Sequence, residues 1–209
     1  IADSDLRMDL DPHRSIEQYV KTLSFEQIAD RIRQEKGFSM KTTPLEPVTT
    51  SDHEIFTYED GKTAQDTSGA YLEFTLHFMA AKDMVVHLTS ANSSSGAADG
   101  TLVMSQNSAL PASMRISFAA DGTTWIYDPG MDATSNTEGN AKTFGLPGAD
   151  AMKINNDNAM FFLKEGVDKA IKVHIWMEGT DPACTDELKG SDYSIRLRFT
   201  GDKTDTKDS

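Results

Sequence analysis

The five histidines are the side chains of this chain best suited to metal binding or proton transfer, and they are His13, His53, His77, His87 and His174. His77, His87 and His174 lie in stretches that alternate like β-strands, each on the side opposite the main apolar stripe. Neighbouring strands could bring these three imidazoles together as a metal site. Sequence spacing does not say which strands are neighbours, so ordinary strand positions are the simpler interpretation. No HExxH pattern is present, so the zincin signature is missing.

Cys184 is the only cysteine, so the chain cannot form an internal disulfide. Its acidic neighbours Asp181, Asp186 and Glu187 are expected to raise the pKa of the thiol, because nearby negative charge disfavours the thiolate. We therefore expect a passive thiol rather than a catalytic nucleophile.

Carboxylates could act as calcium ligands or as a catalytic pair. Asp128, Asp132 and Glu138 lie in a polar loop and could bind Ca²⁺, but they do not follow the EF-hand spacing, and a solvated acidic loop is the simpler interpretation. We predict no cofactor otherwise. No GxSxG, P-loop or GxGxxG motif is present. A carboxylate pair for glycoside hydrolysis comes from separate strands and leaves no local signature, so a hydrolase stays open as one interpretation.

Three large aromatic residues could form a sugar-stacking face: Trp125, Tyr127 and Trp176. An aromatic ring offers a flat apolar surface, and a carbohydrate-binding module would expose such rings side by side. Packing in the core is the commoner use of large aromatics in strands.

The elements that must position these residues are mostly strands. Residues 70–79 and 170–178 both alternate between apolar and polar side chains, and 194–199 alternates in the same way. About nine or ten short strands, separated by turn signals, predict an antiparallel β-sandwich of jelly-roll type over residues 53–201.

The front of the chain has helical periodicity instead. Residues 13–37 are predicted to form a pair of short helices, because Ser24 followed by Gln27 fits a capping box and Gly37 fits a helix end. Residues 38–52 contain two prolines and are expected to form an extended linker.

The two termini are predicted to stand apart from the sandwich. Leu6, Met8 and Leu10 alternate with polar residues, so the arm formed by residues 1–12 is either a frayed terminus or a strand that pairs with another subunit's sheet edge. The charged tail, residues 202–209, is expected to be disordered.

The net negative charge of the chain excludes some classes of binding partner. The 209 residues include 33 acidic and 20 basic side chains, for a formal net charge of -13. Such a chain is expected to avoid nucleic acid and anionic membrane surfaces. No run of 18 apolar residues occurs, so no membrane span is expected. The first residue is Ile1 rather than methionine, and we interpret this as processing.

One stretch resembles a known group. The sequence VHIWMEGTDPACTDELKG at 173–190, with AYLEFTLHF at 70–78, MRISF at 114–118 and WIYDP at 125–129, is similar to secreted Gram-positive proteins processed by SipW-type signal peptidases. That group includes the TasA-like and camelysin-like proteins. The resemblance covers roughly residues 70–201, and its most specific part is IWMEGTDPAC.

The resemblance implies a jelly-roll sandwich, export after removal of a signal peptide and, in TasA-like members, fibres of an extracellular biofilm matrix. In such fibres the N-terminal strand of one subunit completes the sheet of the next. Camelysin-like members are described as proteolytic, but this chain has no HExxH, so protease activity is not carried over.

Three functional hypotheses follow. The first is a secreted, non-catalytic structural protein at the cell surface or in a matrix, which polymerises with itself through Leu6, Met8 and Leu10. The alternative is a secreted module that binds a polysaccharide or another surface ligand through its aromatics. The third is a hydrolase with strand-borne carboxylates or a histidine-bound metal.

Overall fold

The computed structural model describes residues 5–89, 101–127, 149–151 and 157–203, and over these residues the protein is mainly β, as predicted. The strands are β1 (Leu6–Asp9), β2 (Pro47–Thr50), β3 (Phe56–Thr57), β4 (Thr63–Ala64), β5 (Leu72–Ala80), β6 (Met84–Thr89), β7 (Leu102–Met104), β8 (Met114–Ala120), β9 (Thr123–Tyr127), β10 (Ala149–Ala151), β11 (Asp157–Leu163), β12 (Lys169–Glu178), β13 (Ser194–Arg196) and β14 (Phe199–Lys203). The helix α1 (Phe25–Lys36) precedes most of them, and 3-10 turns occur at Ile16–Gln18, Pro111–Ser113 and Asp186–Leu188.

Strand β12 is the centre of the large sheet. It pairs antiparallel with β5 on one side and with β8 on the other, and its last two residues also pair parallel with β2. From there the sheet continues through β9 to β10, through β5 to β1, and through β2 to β3 and β4.

The large sheet is mixed rather than purely antiparallel. The pairs β2–β12 and β9–β10 are parallel, so the antiparallel prediction is wrong at these two places. Neither pair is joined by a tight hairpin, so local turn geometry does not set the relative direction of its strands.

The core lies between the large sheet and a three-stranded sheet of β11, β6 and β14. The Phe78 ring of β5 lies 5.2 Å from the Phe161 ring and 5.0 Å from the Phe199 ring, centroid to centroid. Phe118 of β8 contacts Phe199 at 5.8 Å. Edge-on aromatic pairs of this kind hold the two sheets face to face. Strands β7 and β13 form a separate two-stranded sheet, and Val103 and Ile195 on these strands belong to the same core cluster.

Strand β12 is buried on both faces over its second half. Ile171, Val173 and Ile175 face the core as the alternation predicts. The opposite face, predicted to be polar and outward, is covered by the hairpin strands β2, β3 and β4. Trp176 there packs with Phe56 in a second apolar cluster. The covering strands come from residues 47–64, part of which we predicted to be linker.

The front segment contains one α-helix instead of two. Ser24 Oγ accepts a hydrogen bond from Gln27 N at 3.1 Å and Gln27 Oε1 accepts one from Ser24 N at 2.9 Å, so the predicted capping box is formed. The helix ends at Gly37, whose φ of 83° is favourable only for glycine and a few polar residues. Before it, Ile16–Gln18 makes a single 3-10 turn.

The 3-10 turn at Ile16–Gln18 does not continue into a helix because Val20 is held in an extended conformation. Its N–H and C=O both bond to Met8 of β1, at 2.9 and 2.8 Å. At the other end of the chain, Asp202 and Lys203 belong to β14, so the prediction of a disordered tail from residue 202 is wrong at these two residues. Residues 204–209 lie outside the described residues. Within the described ranges, the helices are too short and too polar to cross a membrane.

Candidate functional site

The predicted arm is a strand, and it pairs with its own chain. Strand β1 lies antiparallel to β5, with Leu6 opposite Ala80 and Asp9 opposite His77. Leu6, Met8 and Leu10 are 3%, 8% and 8% exposed, and all three belong to the main core cluster. The alternation of apolar residues therefore marks a strand that fills one end of the core.

The second side of β1 is nearly unpaired. Its bonds on that side, within the part of the chain that the structure describes, are the two that join Met8 to Val20. Strand β1 is therefore the outermost strand of the large sheet on this side, where an edge can exchange partners.

The end of the arm is tied to helix α1 by an arginine. Arg31 Nη1 donates to Leu10 O at 3.0 Å, and its two terminal nitrogens bind the Asp11 carboxylate at 3.0 and 2.7 Å. The hydrogen bond from Arg31 lowers the pKa of the Asp11 carboxyl. This two-pronged contact fixes where the arm leaves the sheet.

A second contact joins the segment that follows the arm to the segment before β12. Tyr19 Oη lies 2.6 Å from Asp168 Oδ1 and accepts a hydrogen bond from His13 N at 2.8 Å. Asp168 Oδ2 also lies 2.9 Å from His77 Nδ1 on β5. Burial, followed by the contact with Asp168, raises the pKa of Tyr19 to about 12. The phenol therefore stays neutral and available as a donor at ordinary pH.

The three predicted stacking residues do not share an exposed face. Trp176 is fully buried, and its Nε1 donates to Glu178 Oε1 at 2.9 Å on the hairpin side of the large sheet. Tyr127 is buried in the main core cluster on the other side. Trp125 is half-buried, with its ring 6.3 Å from that of Phe161. Sugar stacking needs an open ring face, which Trp125 alone of the three still offers in part.

The three strand histidines each have a separate carboxylate partner. His77 lies 2.9 Å from Asp168 and His174 lies 2.8 Å from Glu73 in the large sheet, whereas His87 lies 2.9 Å from Asp202 in the small sheet. The structure therefore does not bring the imidazoles together. Among the described residues, no group of three or more His, Cys, Asp or Glu side chains is placed to hold a metal ion.

Sequence reasoning missed the pair formed by His174 and Glu73. Glu73 Oε2 lies 2.8 Å from His174 Nε2, and Glu73 Oε1 accepts a hydrogen bond from Lys36 at 2.9 Å. Lys36 also binds Asp66 at 2.8 Å. The bond from His174, followed by that from Lys36, lowers the pKa of Glu73 to about 2. The alternation placed Glu73 and His174 each on the polar side of its own strand, but only the register of the two strands makes them neighbours.

Ser117 extends this pair into a row of three residue types that serve hydrolases. Ser117 of β8 lies opposite His174, and His174 lies opposite Glu73. Ser117 and His174 are each 1% exposed, and the Phe56 ring of the covering hairpin lies 5.1 Å from the imidazole. A substrate has no access to either side chain, so we assign the row to packing and electrostatics rather than to catalysis.

The stretch IWMEGTDPAC forms a buried polar network at the end of β12. Glu178 accepts hydrogen bonds from Trp176 Nε1 and from the backbone and hydroxyl of Thr180, at 2.9, 3.0 and 2.6 Å. Asp181 binds Arg115 Nη2 at 2.6 Å and accepts from Ala183 N at 2.8 Å. These contacts fix the turn after the central strand, which accounts for the residue types of the motif without catalysis.

Two chemical candidates remain, the Cys184 thiol and the acidic loop. Burial, followed by the charge of Asp181, raises the pKa of the Cys184 thiol to about 11, in the predicted direction. Asp181 was expected to act on the thiol, but the Glu178 and Glu59 charges act next, in place of Asp186 and Glu187. The proposed calcium ligands Asp128, Asp132 and Glu138 lie outside the described residues.

No protein-family model, curated protein or solved structure matches the chain. The likeness to SipW-dependent, TasA-like and camelysin-like proteins therefore depends on the quoted stretches, and it stays a prediction.

Proposed function

We propose that the protein is a secreted structural subunit with a jelly-roll sandwich, and that copies join by exchanging strand β1. The observation that supports this proposal most is the placement of the arm. Leu6, Met8 and Leu10 fill the end of the core from an edge strand that is paired along one side. The same strand of a second copy could make every one of these contacts, which is the general route to exchange between identical chains.

The chain after β1 is long enough for such an exchange. About 14 residues separate Leu10 from the helix cap Ser24, and they contain a single 3-10 turn. At full extension this segment spans roughly 45 Å, enough to carry the strand to a neighbouring molecule. The contacts of Arg31 and Tyr19 must open first, so the monomer is expected to hold its arm until a partner replaces it.

The resemblance to SipW-dependent proteins indicates where such a subunit would act. Stretches similar to SipW-dependent proteins indicate export, a place in the matrix or on the cell surface, and no catalytic role. The charge of -13 agrees with a soluble exported protein that has no affinity for nucleic acid. A polysaccharide is the second partner we propose, with Trp125 the member of the predicted aromatic set that keeps some exposed surface.

The first test compares the full chain with a chain lacking residues 1–12, by light scattering and negative-stain imaging. We expect oligomers or fibres from the full chain. The truncated chain lacks the strand that is exchanged and part of the core, so we expect it to form no ordered fibres. Compact monomers from both, at high concentration, would contradict the exchange.

A second test detects exchange through a disulfide. Arg7 and Met79 lie opposite each other in the β1–β5 pair, at a separation that a disulfide can bridge. In a C184S background, a chain carrying R7C is mixed with a chain carrying M79C and oxidised. Exchange predicts a covalent heterodimer. The matched control is a chain with cysteine at the exposed Lys62, on the β3–β4 hairpin several strands from β1 in the sheet order, mixed with R7C. It should form no covalent heterodimer.

A further inference from the structure

A large cleft lies beside the β3–β4 hairpin. It has a volume of about 800 Å³, in the range of small-ligand sites. The cleft is lined by hairpin residues such as Tyr58 and Lys62, by the approach to β2 that includes Leu45 to Pro47, and by Lys189. No residue of the arm lines it, so its role is independent of strand exchange.

Tyr58 is a rigid part of this cleft. Its N–H donates to Lys62 O and its C=O accepts from Gly61 N, both at 2.9 Å. Part of the side chain packs on the cluster of Phe56, Tyr71 and Trp176, and the rest lines the cleft. Tyr58 is thus half-buried, held by its backbone bonds and by the cluster, and an aromatic ring held in this way costs little entropy to use as an apolar contact for a ligand.

The polar groups of the cleft are of both signs. Glu46, Glu59 and Asp60 supply carboxylates, and Lys62 and Lys189 supply ammonium groups. Carboxylates accept hydrogen bonds from hydroxyl groups and ammonium groups donate them, so the set suits a ligand with many hydroxyls. The cleft has three acidic and two basic side chains, and the whole chain has a net charge of -13. This excess of negative charge disfavours an anionic ligand.

An extended peptide is a poorer fit. A peptide that adds to a sheet needs a strand edge of useful length, and the outer strand of this hairpin, β4, has two residues. We infer that the Tyr58 cleft binds an uncharged polysaccharide, with one sugar ring stacked on Tyr58 and its hydroxyl groups bonded to the surrounding carboxylates and lysines.

Titration calorimetry tests the inference with two soluble probes, the β-1,4-linked hexamers of glucose and of N-acetylglucosamine. The whole chain is used, at a concentration where light scattering shows one oligomeric state. We expect at least one hexamer to bind. Y58A should weaken that binding at least tenfold, and Y58F, which keeps the ring, should stay within about threefold. Absence of binding by both hexamers, or full binding by Y58A, would overturn the assignment.

The controls separate the cleft from general surface effects. Phe162 on β11 is an exposed aromatic outside the cleft, 44% exposed, so F162A should bind as the unaltered chain does. If Y58A does not fold, the double variant E46A/K189A replaces exposed side chains on two walls and should weaken binding at least threefold. Unchanged binding by that variant, or binding of a lysine hexamer in place of the sugars, would also overturn it.

Discussion

The Glu73 carboxylate lies 2.8 Å from His174 Nε2 across two neighbouring strands, and Lys36 of helix α1 donates to the same carboxylate. An ionised carboxylate only accepts hydrogen bonds, so the imidazole N–H donates. The carboxylate therefore joins the helix, β5 and the central strand β12. The helix docks through this contact and through Ile28 and Ile32, which are buried in the core.

Acid is expected to weaken this junction. The pKa of Glu73 is lowered from about 4.5 to about 2, so its contribution to the free energy of unfolding is present above pH 4.5 and is lost as the pH falls toward 2. E73Q removes the charge and should cost about 1–3 kcal/mol at pH 7. Urea unfolding at pH 7, 4 and 2.5 should show the difference between E73Q and the unaltered chain shrinking with acid.

The exposed Glu165 provides the matched control. E165Q should leave the free energy of unfolding within about 0.5 kcal/mol of the unaltered value at all three pH values. A cost for E73Q that is the same at pH 7 and pH 2.5 would contradict an electrostatic origin and point to packing alone.

The buried pair of Arg115 and Asp181 predicts a larger and more specific effect. Arg115 is fully buried, and its Nη2 lies 2.6 Å from Asp181 Oδ2. D181N keeps an oxygen for Ala183 N but leaves the guanidinium without its counter-charge, so it should cost about 3 kcal/mol in thermal or urea unfolding. In the double variant R115M/D181N, the cost should fall at least 1 kcal/mol below the sum of the two single costs. Simple additivity would show that the pair is not coupled.

Local patterns predicted the parts of the fold that depend on neighbouring residues. Alternation located β5 and β12, and the capping box located the start of α1 at Ser24. Burial of Trp176 could not be read from its own strand, because the covering hairpin comes from residues 47–64 and pairs parallel with β12. The bond between Glu73 and His174 likewise depends on the register of two strands about 100 positions apart.

For the candidate sites too, the sequence predicted what depends on neighbouring residues and missed what depends on distant ones. The apolar alternation of Leu6, Met8 and Leu10 marked them as strand residues, but it did not show that they pair within the chain. Tyr58 gave no signal at all in the sequence, since a single tyrosine beside a turn is common. Its place in a cleft depends on Lys189 and Leu45, which are distant in sequence.

Cys184 should react slowly in the folded protein. Its thiol pKa is raised from about 9 to about 11, mainly by burial, so the thiolate fraction at pH 8 falls roughly a hundredfold. Iodoacetamide labelling followed by mass spectrometry should be at least tenfold slower in buffer than in 8 M urea. The folded rate should keep rising between pH 9 and 11. Equal rates in buffer and urea at pH 8 would contradict the raised pKa.

The cap of α1 offers a test of local stability. Ser24 and Gln27 satisfy two backbone N–H groups at the helix start, and S24A removes one of these bonds. The expected cost is about 1 kcal/mol, seen as a lower melting temperature by circular dichroism. S24D, which can also cap, should recover most of the loss. If S24D is as unstable as S24A, the capping contact is not the cause.

Tyr19 connects the segment that follows the arm to the body of the protein. Its phenol contacts Asp168 Oδ1 and also accepts from His13 N, so Y19F removes both bonds while keeping the ring. The arm should then open more often. We expect the amide hydrogens of Met8 and Val20, which bond the two segments together, to exchange with deuterium at least tenfold faster. The amide of Ile175, in the central strand, should be unaffected and serves as the internal control.

Because the pKa of Tyr19 is raised to about 12, its stabilising effect is complete below pH 10 and is lost as the pH rises through 12. The unaltered chain should therefore lose stability over that range more steeply than Y19F.

If strand exchange builds the oligomer, Y19F should also exchange arms faster in the R7C and M79C mixing experiment. Faster amide exchange without faster heterodimer formation would show that the arm opens but does not pass between copies.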